Sequence, residues 1–413
     1  MIKKVIASIC LLFTIGTFAQ EGTASAYSFY GIGDIKFKGN VENRSMGGLN
    51  IFPDSTHVNL QNPAGYAGLK LTTLTLGGSY NTTNLETNTG EGKSRRSTID
   101  YLALGMPITK KIGVGVGLLP YSSVGYKIQS AGATDRQYTG TGGVNRVFAG
   151  LGYKINNNFS VGANADFNFG EIETTSLEFL DFIEYGSREL NVSTIRGLSF
   201  NTGVMWNRKI NKKLDLFASA IYTPESTLKL SNERNIATVQ RSSSSNPIVV
   251  DSQPIDVADT EIKLPSKIAF GAGIGEVKKW LVGAEFTLAN SSNFGNRFDD
   301  ITNAAFENSS KISIGGYFIP DYDSFTSYVK RITYRAGFRH ENTGLVIADK
   351  SINDTAFTFG LGFPVTGSFS NINLGFEYGK KGTKDLNLVE ENYLNFTLSL
   401  SLNDKWFVKR KYD

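Results

Sequence analysis

Near the C-terminus apolar and polar residues alternate without interruption. Leu394, Phe396, Leu398, Leu400 and Leu402 fall on one face of an extended segment; Asn395, Thr397, Ser399 and Ser401 fall on the other. A period of two marks a β-strand with chemically different faces. The same alternation recurs at 371–381 (Ile372, Leu374, Phe376 and Tyr378 against Asn373, Gly375 and Glu377), at 159–172 and at 280–290. Followed through the chain, it predicts fourteen strands, near 69–81, 98–108, 112–128, 144–154, 159–172, 194–210, 214–230, 261–274, 280–290, 308–319, 329–341, 353–364, 371–381 and 391–402. One miscounted hairpin would make the number twelve or sixteen.

Two features favour an inverted pattern, apolar outward and polar inward. The segments are long, against a usual ~5–6 residues in globular sheets, and a tilted strand needs ~9–11 residues to cross a bilayer. Their polar faces hold Gly, Ser, Asn and Thr, which suit a lumen better than a Lys- and Glu-rich solvent face. The connections alternate as well. Thr109-Lys110-Lys111, 155–158, 211–213, 275–279 and 365–370 are short; 82–97, 129–143, 173–193, 231–260 and 291–307 are long and polar. Connection 320–328 is longer than the pattern wants. Short periplasmic turns and long outer loops belong to an outer-membrane barrel, and an even strand number returns both ends to the periplasm. The expected fold class is therefore all-β: a transmembrane antiparallel β-barrel over 69–402.

Composition is compatible with this. The chain has 413 residues, 19% charged, with a net charge of +4 and 44 glycines. No basic block tracks a phosphate backbone, so nucleic acid is not an expected partner. Lys3 and Lys4, the apolar run Val5 to Ile15, and Thr17-Phe18-Ala19 read as a signal peptide cleaved after Ala19. The single cysteine, Cys10, falls inside it, which leaves the mature chain without thiol chemistry or a zinc site. Residues 20–68 do not alternate but carry apolar clusters (Tyr27, Phe29, Tyr30, Ile32, Leu49, Ile51, Phe52). They read as a hatch packed inside the barrel, the alternative being a periplasmic tail.

The stretch Arg44 to Leu69, "RSMGGLNIFPDSTHVNLQNPAGYAGL", carries Met46-Gly47-Gly48 and then Asn62-Pro63-Ala64-Gly65 just before the first strand. It resembles the hatch segment of the FadL family, the long-chain fatty-acid and aromatic-hydrocarbon channels of Gram-negative outer membranes. Fourteen strands is also that family's number. The resemblance implies passive uptake of hydrophobic small molecules, with no cofactor. A substrate would bind above the hatch and leave into the bilayer through a gap made by a kink in the third strand. Here that strand is 112–128, and Pro120-Tyr121 occupies the place of the kink. Its glycines, Gly113, Gly115 and Gly117, should face inward, with Val114, Val116 and Leu118 toward lipid. A plain bulge that only shapes the wall is the other reading of Pro120. The partners expected are thus the lipid bilayer and a hydrophobic small molecule.

The ending "NDKWFVKRKYD" (403–413) resembles tails on FadL-like proteins of Bacteroidetes, some of which serve secretion machinery and transport nothing. That suggests an alternative function: an accessory subunit of an outer-membrane protein assembly or secretion complex. Trp406, Phe407 and Lys409-Arg410-Lys411 would then dock on a partner, or else anchor the chain at the bilayer interface.

Chemistry for catalysis is sparse. His57 and His340 are the two histidines; one falls in the hatch and the other at the top of the eleventh strand, so no hydrolase site is expected. Asp299, Asp300, Asp321 and Asp323 lack the spacing of a calcium loop. On the eleventh strand Arg335 and Arg339 should point into the lumen, where Asp166, Glu285 and Glu377 also lie. The arginines would pair with a substrate carboxylate, or the charges would neutralise one another and pin the hatch.

Overall fold

The computed structural model describes residues 22–130, 134–242, 247–297 and 303–406. Fourteen antiparallel strands close into a barrel: β1 (Thr72–Glu86), β2 (Glu91–Pro107), β3 (Ile112–Ser130), β4 (Thr134–Lys154), β5 (Phe159–Leu180), β6 (Tyr185–Lys209), β7 (Asp215–Thr223, continued as Ser226–Gln240), β8 (Thr260–Leu264, continued as Lys267–Glu276), β9 (Trp280–Ala289), β10 (Ser309–Phe318), β11 (Thr333–Ile347), β12 (Lys350–Pro364), β13 (Asn371–Gly382) and β14 (Glu390–Asp404). Closure is made by β14 on β1, from Asp404 opposite Thr72 to Glu390 opposite Glu86. A closed sheet leaves no edge and satisfies its own backbone, as a bilayer requires. The breaks in β7 and β8 fall at Pro224 and Pro265, at one level on neighbouring strands, since Thr223 faces Lys267 and Ser226 faces Leu264. Proline supplies no ladder donor.

The pattern is inside out. On β12, Phe357 and Phe359 are 54% and 57% exposed, while Thr358 between them is fully buried. On β14, Asn395, Thr397, Ser399 and Ser401 are buried and Leu394 and Phe396 face outward. No helix among the described residues is long and apolar enough to cross a membrane; strands do the crossing.

Strand lengths differ from the sequence expectation. Most of 82–97, 129–143, 173–193 and 231–260 is paired strand, not loop. β5 has 22 residues and β6 has 25, so at ~3.3 Å per residue both run far past a bilayer core. Polar composition suggested loops there, but the paired segments keep one buried face, with Phe179, Ala237 and Val239 clustered on it, and the other face in water. A further strand, Ile248–Ile255, pairs with the continuation of β7 in this projecting sheet. Residues 291–297 are irregular, and Ala304–Phe306 pair with the end of β11. The eleventh strand begins later and ends later than expected. His340 therefore sits mid-strand and on the outer face, not at the top.

Residues 22–71 lie against inward-facing residues of the wall. Asn40 caps a single helical turn, Val41–Arg44, by accepting from the Asn43 N–H at 2.9 Å. Gly47 and Gly48 take φ of +71° and +91°, conformations that only glycine adopts readily. At Gly47 a Cβ would also lie 2.6 Å from the Phe338 carbonyl oxygen of β11. The Asn62 side chain accepts from Ala64 N–H at 3.0 Å and starts the 3₁₀ turn Pro63–Gly68. That turn rests on a glycine floor. A Cβ on Gly113 would stand 1.9 Å from the Tyr66 carbonyl oxygen, and one on Gly162 would be 2.4 Å from the Pro63 carbonyl carbon. Tyr66 itself is fully buried against Gly115. The wall glycines thus face inward, as expected for β3, and the space they leave is occupied by backbone.

Candidate functional site: the lumen and the break in its wall

Three features of the interior bear on function. The first is a set of charge clusters joining the N-terminal segment to the wall. Arg44 Nε donates to Glu377 Oε2 at 2.6 Å. Arg339 donates to Glu377 at 3.0 Å, to Asp354 at 2.9 Å and to the Tyr393 hydroxyl at 2.7 Å. Lys381 reaches Asp34 at 2.6 Å, and Lys36 meets the same carboxylate at 3.3 Å. Glu391 accepts from the Ser25 hydroxyl at 2.8 Å and the Ala26 N–H at 2.9 Å. Glu285 accepts from the Asn50 N–H at 3.2 Å. On the opposite wall, Asp166 lies 3.5 Å from Arg146 and 3.7 Å from Lys38. Buried charges persist when paired and hydrogen-bonded: Arg44, Arg339, Lys381 and Asp34 each have an opposite charge at hand, while Glu285 and Glu391 accept from neutral donors.

The second feature is the wall itself. β3 pairs with β4 from Ile112 to Ser130, with a register shift between Pro120 and Ser122. Its pairing with β2 stops at Leu118 opposite Leu102. Beyond that point β2 continues on β1 alone, and the β3 edge is met by two residues of the N-terminal segment, Asp34 opposite Ser123 and Ile35 opposite Ser122. The Lys36 N–H extends this contact to the Tyr121 carbonyl at 2.9 Å. The Tyr121 ring lies under the Arg146 guanidinium, 4.3 Å from it. Pro120 and Tyr121 therefore mark the level at which the wall parts, and a strand from inside covers the free edge.

The third feature is the pair of cavities that the N-terminal segment separates. The one toward the long hairpins measures about 430 Å³ and is lined by Pro120 and Tyr121 and by charged groups from most of the wall. The other, about 660 Å³, is ringed by the short turns. At its floor His57 Nδ1 is 2.8 Å from Asp54 and Nε2 is 3.3 Å from Glu42. Burial opposes a charged His57 ring, but the Asp54 and Glu42 carboxylates outweigh it and raise its pKa above the usual value.

Of the residues expected in the lumen, Arg339, Glu377 and Glu285 join the tethering clusters. Arg335 does not: its NH1 donates to Asn373 Oδ1 at 3.1 Å, in the short-turn cavity. Met46-Gly47-Gly48 turns against β11, with the Gly47 N–H donating to Thr358 Oγ1 at 2.9 Å. Asn62-Pro63-Ala64-Gly65 lies over β4 to β6, and Asn62 Nδ2 donates to the Val204 carbonyl at 3.1 Å. His340 contacts Thr355 Oγ1 at 2.8 Å on the outer face, on the other side of the wall from His57. Arg44, Asp34, Lys381 and Arg146 were not singled out from the sequence. Their one sequence signal is a charge on an inward-facing or hatch position, which names no partner. Cys10, Asp299, Asp300, Phe407 and Lys409-Arg410-Lys411 lie outside the described residues. No cluster suited to a metal ion occurs among the described residues.

The whole chain, residues 1–413, matches the family model described as BamG. The chain belongs to the BamG family. Solved structures share its architecture. The toluene transporter TbuX of Ralstonia pickettii aligns at TM-score 0.61 and 13% identity, over 89% of this chain and 99% of that one. A FadL homologue of Pseudomonas aeruginosa aligns at 0.59 and 13%, over 90% and 99%. The toluene transporter TodX of Pseudomonas putida aligns at 0.57 and 16%, over 91% and 100%. At such identities the likeness is one of fold: this BamG-family chain is a FadL-like outer-membrane barrel with fourteen strands. No curated protein matches the sequence.

Proposed function

We propose that this BamG-family barrel is an accessory subunit of an outer-membrane protein assembly complex, with no hydrocarbon flux of its own. The observation that carries the reading is the chemistry of the chamber toward the long hairpins. Sites for hydrophobic ligands are mostly apolar, with a few placed polar groups. This chamber sets apolar groups such as Phe37, Leu119 and Phe294 among many charges: Asp34, Lys36, Lys38, Arg44, Arg146, Arg339, Lys381 and Glu391. A hydrocarbon placed there would lie against ion pairs and strip the water that remains around them. The N-terminal segment is also tied to several wall strands, which suits a fixed plug. Membership of the BamG family is compatible with a place in a protein complex. The projecting sheet of β5, β6 and the β7 continuation offers surface beyond the bilayer for contact.

The second reading is a channel for hydrophobic small molecules, fatty-acid-like or aromatic, leaving laterally at β3. One observation favours it: the β2–β3 pairing is lost above Leu118, beside Pro120. One experiment separates the two. The protein is purified from native membranes in mild detergent, and bound lipids and proteins are measured by mass spectrometry. Stoichiometric partner proteins without a bound hydrophobe support the accessory role. A stoichiometric hydrophobe without partners would overturn it in favour of transport.

A further inference from the structure

Among the inward-facing arginines, Arg335 is differently placed. Arg44, Arg146 and Arg339 each have a carboxylate within 4 Å. Arg335 has none among the described residues, and it donates to the neutral amide of Asn373. The carboxylates of the same cavity, Glu42 and Asp54, act on Arg335 only from beyond ion-pair distance. Glu42 accepts from Asn373 at 2.7 Å and faces His57. Asp54 accepts from the Thr56 N–H at 2.8 Å and faces His57. Gly362 makes room for the guanidinium, because a Cβ there would lie 2.7 Å from Arg335 NH1.

The cavity into which Arg335 points is cationic and amphipathic. Lys70, Lys154, Lys278 and Arg331 join Arg335 in its lining, against Glu42 and Asp54. Arg331 Nε is buried without a hydrogen-bond partner. Asn156, Asn157 and Asn371 present side-chain amides, which both donate and accept as a peptide backbone does. Phe52, Phe217 and Tyr317 form an aromatic wall with ring centroids 6.4 Å and 5.7 Å apart across Phe52. At about 660 Å³ the volume falls in the range of small-ligand sites. The rim consists of the short turns, so access is from the aqueous side, where the chain ends of a barrel threaded from within belong.

We propose that this cavity binds a carboxylate-bearing extended peptide segment of a partner protein on the short-turn side, with Arg335 as its anchor. The inference rests on the accessory-subunit reading and gives that subunit a recognition site. Arg335 offers a planar fork of donors to a carboxylate. The asparagines bind the peptide groups, the aromatic wall takes an apolar side chain, and the outer lysines supply long-range attraction that salt would screen.

The test uses the full-length protein in detergent and three probes. Two are pools of fluorescein-labelled hexapeptides with an apolar penultimate residue, one ending in a free carboxylate and the other in a carboxamide; the third is dodecyl phosphate. The carboxylate pool is expected to bind in fluorescence anisotropy, and the carboxamide pool at least about 10-fold more weakly, since a charge-assisted pair is lost. Arg335→Gln is expected to lose binding by a similar factor and Arg335→Lys to keep part of it, with thermal unfolding checking that each variant is folded. If Arg335→Gln fails to fold, the rim double variant Lys154→Gln with Lys278→Gln should weaken binding and flatten its salt dependence. Equal binding of the two pools, unchanged binding in these variants, or binding of dodecyl phosphate alone would overturn the proposal. Purification from native membranes separates the two levels. Partners recovered equally with wild type and Arg335→Gln leave the accessory reading standing and overturn the cavity's role. No partners with wild type overturns the accessory reading itself.

Discussion

The N-terminal segment meets the barrel in two different ways on its two sides. Toward β11 to β14 it is held by ion pairs and by backbone contact: Arg44 on Glu377, Asp34 on Lys381, Ser25 on Glu391, and the Gly47 N–H on Thr358. There the wall is continuous, with β13 paired to β14 from Asn371 to Gly382. Toward β2 and β3 the wall is open above Leu118, and the segment adds Asp34 and Ile35 to the β3 edge. On one side the plug depends on the wall; on the other the wall depends on the plug. Asp34 links the two, since its backbone pairs with β3 while its carboxylate takes Lys381 from β13. Releasing the tether should therefore loosen the wall cover.

The largest effect is expected from Gly337→Val on the closed side. A Cβ at Gly337 would lie 2.2 Å from Gly47 N and from the Met46 carbonyl carbon, and backbone cannot yield as a side chain can. The expected outcome is a segment that cannot seat, with a cost of about 3 kcal/mol or more, read as a lower unfolding temperature and new protease cleavage between residues 22 and 71. A folded, protease-resistant variant would break the picture of a close-fitting plug.

Next comes Arg339→Leu, which leaves Asp354 with its main cation gone and Glu377 with Arg44 alone. Removing one member of a buried charge cluster costs about 3–5 kcal/mol. Because Arg44 and Arg339 share Glu377, the double variant with Arg44→Leu should fall short of the sum of the two single effects. Strict additivity in urea or thermal unfolding would show that the cluster does not act as a unit.

A smaller effect on stability, but a decisive one on transport, is expected from Ile35→Cys with Ser122→Cys. These residues face each other across the covering strand, and the one native cysteine is Cys10. The oxidised variant should keep its protein partners and its unfolding temperature. Any hydrophobe flux that the reduced protein shows should stop on oxidation, as measured by uptake into proteoliposomes; undiminished flux would place the exit elsewhere.

The smallest effect concerns pH. His57 is raised above the usual histidine pKa by Asp54 and Glu42 despite burial. A raised folded-state value contributes stability that is fully present below the unfolded value of ~6.5 and is lost as pH rises through the folded one. His57→Gln should remove that part of the pH dependence of the unfolding temperature. An unchanged profile would mean that the Asp54–His57–Glu42 contact adds nothing to seating the segment.

The alternation of the sequence pointed to fourteen strands, with twelve or sixteen open, and to the outward faces of the clearest strands and most of the short turns. It could do so because a period of two is local: Phe357, Thr358 and Phe359 are assigned by their neighbours in the chain. The wall glycines were legible as an inward face for the same reason. The extent of the outer hairpins was not, since the apolar residues of their buried face, such as Phe179, Ala237 and Val239, are few and set among polar ones. Nor could the sequence separate Arg335 from Arg339, two inward arginines one helical-turn's worth of sequence apart on the same strand face. Arg339 is neutralised by Asp354 and Glu377, and Glu377 also takes Arg44 across a sequence separation of 333 residues. Arg335 is left to face a cavity. The parting of β2 and β3 is also a property of three segments together, with Pro120 one contributor. Partner choice among buried charges and wall edges depends on which distant groups the closed barrel brings within a few ångströms, and only the tertiary structure decides that.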